Sequence, residues 1–262
     1  MLLKAIEIEL NKGNAKAQKL AGEIQSLLIK GDDLRILLLQ TNHDASNIFA
    51  DYVRDGQHPI GKKVDIAADQ NLVDGIEDCE AFVTKWVASG QSLIGLVSLL
   101  RNRLSLIFHE IEDEGLVYTV FEVLNSRGLD VTWFDKLKTL LMAIVFEHGD
   151  TGSRAATIDE LHNLWREIYQ TIGLRQILNR ETVRFAGTLK AKVQPNRPLD
   201  EESAVDELVS QCDKSAKKAV ASSKWILRVT KAEDKLLSNH RLRAVTQIVQ
   251  ARLTAVAIIL RE

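Results

Sequence analysis

Side chains that can contact a phosphate group are concentrated in one short segment, residues 121–138. The segment holds an amide at Asn125, a guanidinium at Arg127 and an ammonium at Lys138. Arginine forms bidentate contacts with phosphate oxygens, and the adjacent Gly128 lets a ligand approach the backbone closely. The alternative is that Arg127 caps the carbonyl groups of the preceding helix or pairs with a nearby aspartate. From the residues alone, that structural role is the commoner one.

The other candidates also have two interpretations each. Asn125 would orient a ligand or a water, but a buried amide that fixes the loop backbone is the commoner use. Asp135 is more typical of a capping carboxylate than of a catalytic one. Lys138 is either a phosphate contact or a solvated lysine on a helix surface. The sequence therefore provides binding candidates, and it shows no catalytic constellation.

Two helices joined by a tight loop are predicted to position these side chains. Apolar residues recur at three- and four-residue spacing up to Phe121 and Leu124, which predicts a helix. Gly128 is expected to end that helix in the left-handed conformation. Thr132 and Asp135 form a Thr-x-x-Asp capping arrangement at the start of the next helix. The candidate amide and guanidinium are therefore expected in the loop, with the candidate lysine in the early turns of the second helix.

The whole segment resembles a motif of a known family. Its sequence reads Phe-Glu-x-Leu-Asn-x-Arg-Gly, followed after six residues by Asp-x-Leu-Lys. This is similar to the second half of the N-terminal domain of GmrSD-type, type IV restriction enzymes, a domain of unknown function that is widespread in anti-phage proteins. The matching positions are Phe121, Glu122, Leu124, Asn125, Arg127, Gly128, Asp135 and Lys138. The resemblance covers about the first 150 residues.

The resemblance implies a part in a nucleotide-dependent restriction protein. Full-length relatives are implied to be NTP-dependent endonucleases that use NTP with Mg²⁺. The implied partners are an N-terminal ParB-like unit, a C-terminal HNH-type nuclease domain, and DNA. We therefore expect this chain to be the non-catalytic helical portion of such a protein, contributing to a nucleotide-responsive regulatory or DNA-sensing unit.

One departure from the family pattern shapes that expectation. The family's hydrolytic Asp-Gly-Gln-Gln-Arg signature is absent, and the nearest sequence, Asp55-Gly56-Gln57-His58, lacks the final Gln-Arg. It reads as a surface turn, because Asp-Gly and His-Pro are turn dipeptides. The sequence therefore predicts no catalytic residue, no metal site and no cofactor in this chain itself.

A second interpretation stays open, in which the chain is a stand-alone helical module for protein or nucleic-acid interaction without a nucleotide role. The net charge of −2 provides no global basic field, so a DNA contact would require a local patch. Two groups of basic residues have helical spacing and either face solvent or line a groove. They are Arg175, Arg180 and Arg184, and Arg228, Lys231 and Lys235.

The predicted fold class is mainly α, a multi-helix bundle with a small two-stranded β element. Low aromatic content (5%) and only 3 prolines favour helices. The β element is predicted from Leu34–Leu39 and Leu104–Ile111. The first helix is predicted to end near Gly31, and the last is predicted as one helix over residues 242–260.

The glycine-containing turn near residues 149–152 predicts two domains, residues 1–148 with the motif and residues 153–262 as a helical C-terminal subdomain. Cys79 and Cys212 are predicted to be reduced thiols, as in a cytoplasmic protein. No signal peptide or apolar run of membrane-spanning length is present, which argues against a membrane role. A histidine and three acids between His109 and Asp113 are predicted to be a solvated strand end.

Overall fold

The computed structural model describes most of the chain, and within that part the protein is all-α. The described ranges are residues 1–31, 35–39, 47–60, 64–105, 131–175, 177–247 and 249–261. The predicted fold class is confirmed. The chain divides into two compact units, Met1–Phe108 and His109–Glu262. The turn at residues 149–152, where the sequence predicts a domain boundary, joins two helices that pack against each other.

The first unit contains five described helices. They are α1 (Leu2–Asn11), α2 (Ala15–Leu28), α3 (Ile48–Asp55), α4 (Ala67–Ala88) and α5 (Leu93–Arg103). Helix α1 packs against α2 and α4, and α3 packs against α4. Ile6 and Ile24 lie in one small core, whereas Tyr52 and Ile76 lie in another. Sequence periodicity did not single out α1, in which two charged residues occupy buried positions.

Within the described residues, the first predicted strand forms a single β bridge. Ile29, just after α2, pairs with Leu37 in an antiparallel bridge. The Lys30 N–H donates to the Ile36 carbonyl over 2.8 Å. Helix α2 therefore ends three residues before Gly31, the predicted end. The other predicted strand, Leu104–Ile111, lies outside the described residues from position 106 onward, so pairing between the two segments stays a prediction.

The second unit contains seven described helices around one core. They are α6 (Trp133–His148), α7 (Arg154–Ile172), α8 (Ile177–Lys190), α9 (Glu201–Ser210), α10 (Ala216–Ser238), α11 (His240–Val245) and α12 (Val249–Ile259). Helix α10 is central and packs against α6, α7, α8, α11 and α12. Fully buried Phe134, Trp165 and Phe185 are among the largest side chains of this core.

Close backbone contact between α8 and α9 depends on a glycine. A Cβ atom at Gly187 would lie 2.5 Å from the Ala204 Cβ and 2.6 Å from its Cα. Those distances are far below van der Waals contact, so only glycine fits while the helices keep this spacing.

The prediction of one last helix over residues 242–260 is wrong, because the structure has two helices in this region. Helix α11 ends at Val245 and α12 begins at Val249. At the break, the Arg252 guanidinium donates hydrogen bonds to the backbone carbonyls of Thr246 (3.1 Å) and Gln247 (3.3 Å). Apolar periodicity continues across the break, which explains why the pattern suggested one helix. None of the described helices has the length and apolar character needed to cross a membrane.

Candidate functional site

The phosphate-contacting candidates fall on both sides of the boundary of the described residues. Asn125, Arg127 and Gly128 lie outside it, as do the structural motif residues Phe121, Glu122 and Leu124. Their predicted loop geometry and the left-handed glycine therefore stay predictions. Thr132, Asp135 and Lys138 are described, and they show how the helix after the loop begins.

Thr132 caps α6 as the spacing predicts. Its hydroxyl oxygen accepts the Asp135 backbone N–H over 3.2 Å, and its O–H donates to Asp135 Oδ2 over 2.6 Å. The threonine thereby satisfies one of the unpaired amides of the first helical turn. The carboxylate bonds the capping hydroxyl rather than the backbone amide that a full capping box would use. The helix start is thus fixed by two hydrogen bonds.

The second oxygen of Asp135 ties this helix start to α7. Tyr169 donates its phenol O–H to Asp135 Oδ1 over 2.6 Å. The tyrosine ring also packs edge-on against Phe134, with ring centroids 5.6 Å apart. Both carboxylate oxygens are therefore engaged in structural hydrogen bonds. This supports the interpretation of Asp135 as a capping carboxylate.

Tyr169 is a residue that sequence reasoning missed, although a signal was present. It follows Trp165 by four residues on the apolar stripe of α7, and Trp165 packs against Phe134 with centroids 5.2 Å apart. A tyrosine in such a stripe carries a hydroxyl that needs a partner. An acidic capping residue on a neighbouring helix is a suitable acceptor.

Lys138 lies on this fixed scaffold with its charge unmatched. Its ammonium is 5.2 Å from the centre of the Tyr169 ring, within the range of a cation–π contact. In the described part of the chain it forms no salt bridge. Two residues earlier, the Lys136 ammonium lies 4.2 Å from the centre of the Trp133 ring. Two ammonium groups on aromatic surfaces at the start of α6 can attract an anionic group.

A second cluster, missed by sequence reasoning, lies in the core of the same unit. Arg252 of α12 donates to Glu181 of α8 over 2.5 Å, and both side chains are almost fully buried. Thr182, next along α8, donates its hydroxyl to the fully buried Glu233 of α10. The other oxygen of Glu233 has no hydrogen-bond partner among the described residues. We call these four residues the acid–arginine cluster.

The protonation of Glu233 follows from its surroundings. Burial raises its pKa to about 8, because the charged carboxylate loses its hydration in the core. The Thr182 hydrogen bond lowers the pKa, the nearby Glu181 carboxylate raises it, and Arg252 lowers it. One guanidinium therefore faces two acids, and the cluster is neutral when Glu233 holds its proton. The sequence signal was a glutamate at helical spacing from buried Val229 and Leu236.

Most basic residues of the two groups that suggested a DNA groove form ion pairs or hydrogen bonds with other residues of the protein. Arg175 pairs with Asp234, Arg180 with Glu201 over 3.0 Å, and Lys231 with Glu167 over 2.5 Å. Arg184 and Arg228 donate to the backbone carbonyls of Leu199 and Leu260, over 2.8 and 3.1 Å. These contacts support the solvated-face interpretation.

Metal and thiol chemistry receive no support from the described residues. No three of their histidine, cysteine, aspartate and glutamate side chains cluster as a metal site would require. The predicted strand end between His109 and Asp113 lies outside them. Cys79 and Cys212 are free thiols, and burial raises the pKa of both. Thiols of this kind are poor nucleophiles near neutral pH.

Comparison with known proteins adds no relative: no family model, no curated protein and no solved structure matches this chain.

Proposed function

We propose that this chain is a non-catalytic helical module that contributes a phosphate-contacting surface to a GmrSD-like anti-phage restriction protein. Within that protein it would belong to a nucleotide-responsive regulatory or DNA-sensing unit. The observation that carries the proposal is the ammonium of Lys138, which forms no salt bridge with the described residues. It lies on a rigid helix start, at the end of the segment that resembles the family motif.

The rigidity of the helix start supports binding. Thr132 and Tyr169 occupy both oxygens of Asp135, so the first turns of α6 hold their geometry without a ligand. A preorganised cation loses less freedom on binding than a mobile one. Lysine commonly binds phosphate as a point charge, and arginine as a bidentate donor. Lys138 would therefore attract the phosphate, and Arg127 would orient it.

The engagement of Asp135 also supports a non-catalytic role. A general base needs a carboxylate oxygen that can reach the substrate proton. Both oxygens of Asp135 already accept hydroxyl groups of the protein. Catalysis would then come from the partners implied by the resemblance: a ParB-like unit that uses NTP with Mg²⁺, and an HNH-type nuclease domain acting on DNA. The two free thiols fit the reducing cytoplasm, where we place the protein.

The test is a nucleotide titration that is monitored by NMR, because NMR detects binding at millimolar affinity. Mg²⁺–ATP and Mg²⁺–GTP are added to ¹⁵N-labelled protein, and shifts are expected for the amides of Thr132 to Lys138. Lys138→Gln should weaken the affinity by about tenfold, the effect of one charge-assisted contact. Lys16→Gln, at an exposed lysine of α2, is the matched control and should change nothing.

Two results would contradict the proposal. Equal affinities for Lys138→Gln and Lys16→Gln would remove the lysine from the site. Metal-dependent hydrolysis of nucleotide or DNA by the pure chain, abolished by one substitution, would show that the module is catalytic. If no nucleotide binds but a folded protein partner does, the stand-alone interaction module is the better description.

A further inference from the structure

A cleft of about 170 Å³ opens in the second unit where the end of α8, the end of α9 and the first half of α10 meet. Its walls combine apolar and cationic groups. They include Lys190, Leu208, Cys212, Lys218, Ser222 and Trp225. No carboxylate is among the described residues that line it. The volume is similar to that of a cavity that holds one benzene ring.

The indole of Trp225 forms a fixed apolar wall with a cation beside it. Its N–H donates to the Ala186 carbonyl over 3.1 Å, which sets the orientation of the ring. The Lys190 ammonium lies 5.0 Å from the ring centre. Lys190 forms no salt bridge in the described part of the chain. The cleft therefore holds a positive charge that no carboxylate of the described residues pairs with.

A hydroxyl group in the cleft has only a weak partner, the thiol of Cys212. The Ser222 Oγ is buried and makes no hydrogen bond of normal geometry within the described residues. It lies near enough to the Cys212 thiol to lower its pKa, but burial raises that pKa more. The sulfur is therefore a neutral thiol and not a competing anion. By contrast, Lys218 is already paired with Asp213 over 3.0 Å.

These features need the same kind of ligand. A buried hydroxyl and an unpaired ammonium both favour an anionic acceptor, whereas Trp225 and Leu208 favour an apolar body. We propose that this cleft binds a small organic anion, a phosphate monoester or a carboxylate with one ring or a short apolar chain. Its charged group would contact Lys190 and Ser222, and its apolar part would lie against Trp225. This site is separate from the start of α6, and it needs neither the motif segment nor a nucleotide.

Calorimetric titration of the full chain with phenyl phosphate and with benzoate tests the proposal. Saturable binding at one site is expected for at least one of them, with a shift of the Trp225 indole N–H in a parallel NMR titration. Lys190→Gln should weaken binding on the order of tenfold, and Ser222→Ala by a few-fold. Lys217→Gln is the matched control, since this exposed lysine of α10 lies outside the cleft wall.

Probe chemistry and variants decide the outcome. Phenyl phosphate binding tighter than benzoate would assign the phosphate class, and the reverse would assign the carboxylate class. Phenol binding as tightly as both would overturn the anionic part, and inorganic phosphate binding as tightly as phenyl phosphate would overturn the apolar part. The absence of saturable binding, or equal affinities for Lys190→Gln and Lys217→Gln, would overturn the site itself. Circular dichroism of each variant confirms that the fold is retained.

Discussion

The two units of the protein bury charged groups in opposite ways. In the first unit, Lys4 and Glu7 lie one turn apart on α1, 3.1 Å from each other, with 5% and 6% of their side chains exposed. In the second unit, the acid–arginine cluster joins three helices that are far apart in sequence. The local pair has one cation and one acid, whereas the cluster has one cation and two acids.

The difference shows that the way in which buried charges are neutralised depends on how many helices contribute them. A one-to-one pair neutralises itself, and helix formation alone brings its members together. A cluster with excess acid must hold a proton, and only tertiary packing assembles it. The stability that the cluster contributes therefore depends on the docking of α12, and the stability that the pair contributes depends on α1 alone. Five predictions test this distinction.

The largest expected effect comes from removing the cation of the cluster. Arg252→Leu leaves Glu181 buried without a partner, and frees the carbonyls of Thr246 and Gln247 at the helix break. We expect the free energy of unfolding to fall by about 4 kcal/mol, as for a broken buried ion pair. Urea denaturation measures the change. Arg241→Leu, at an exposed arginine of α11, is the control and should change stability by less than about 0.5 kcal/mol.

Breaking the local pair should have the next largest effect. Lys4→Met leaves one buried carboxylate and no freed backbone group, so we expect a loss of about 3 kcal/mol. The double variant Lys4→Met/Glu7→Leu removes both charges and should recover most of that loss. Urea denaturation of the wild type, both single variants and the double variant measures the coupling. A double variant as unstable as Lys4→Met would mean that packing at these positions, rather than charge, determines stability.

The excess acid predicts a dependence on pH that Glu233→Gln should remove. The folded protein holds the Glu233 proton up to about pH 8, whereas an unfolded glutamate with a pKa of 4.5 releases it. The contribution of Glu233 to stability is therefore fully present below about pH 4.5, and it is lost as the pH rises from there to about 8, by at most about 1.4 kcal/mol per pH unit for one proton. A neutral glutamine carries no such dependence. Denaturation of both proteins between pH 5 and 9 measures the difference, and parallel curves would contradict the prediction.

The sequence predicted the helices well because their apolar residues follow a regular spacing. Trp165 and Ile226 lie on such stripes and are fully buried. Buried Lys4 and Glu7 interrupt the stripe of α1, which explains why α1 was missed. At the break before α12, Arg252 donates to two backbone carbonyls, although periodicity treats this residue as polar surface.

The candidate sites were less predictable, because their residues come together only through packing. The Thr132 cap involves contacts three residues apart and was visible in the sequence. The hydrogen bond from Tyr169 to Asp135 spans 34 residues, and the one from Arg252 to Glu181 spans 71. No spacing rule identifies partners at such separations. The cleft beside Trp225 likewise requires three helices in place.

A smaller effect is expected at the start of α6, where a long-range hydrogen bond is only partly buried. Tyr169→Phe removes the phenol that bonds Asp135 but keeps the ring contacts with Phe134. A loss of about 1 kcal/mol is expected, the usual net value of one hydrogen bond. Thermal and urea denaturation measure it. A loss as large as that of Arg252→Leu would place this contact with the buried charges instead.

The smallest effect should come from a charged pair that differs from the cluster mainly in exposure. Lys224 of α10 and Glu160 of α7 are 2.6 Å apart, close to the 2.5 Å of Arg252 and Glu181. Their side chains are 56% and 47% exposed, against 13% and 6% in the cluster. Water therefore solvates either ion when its partner is removed, and Lys224→Gln should cost at most about 0.5 kcal/mol. Added salt should reduce even this difference, because exposed charges are screened. A loss above about 2 kcal/mol would mean that helix docking, and not burial, determines what a charged pair contributes here.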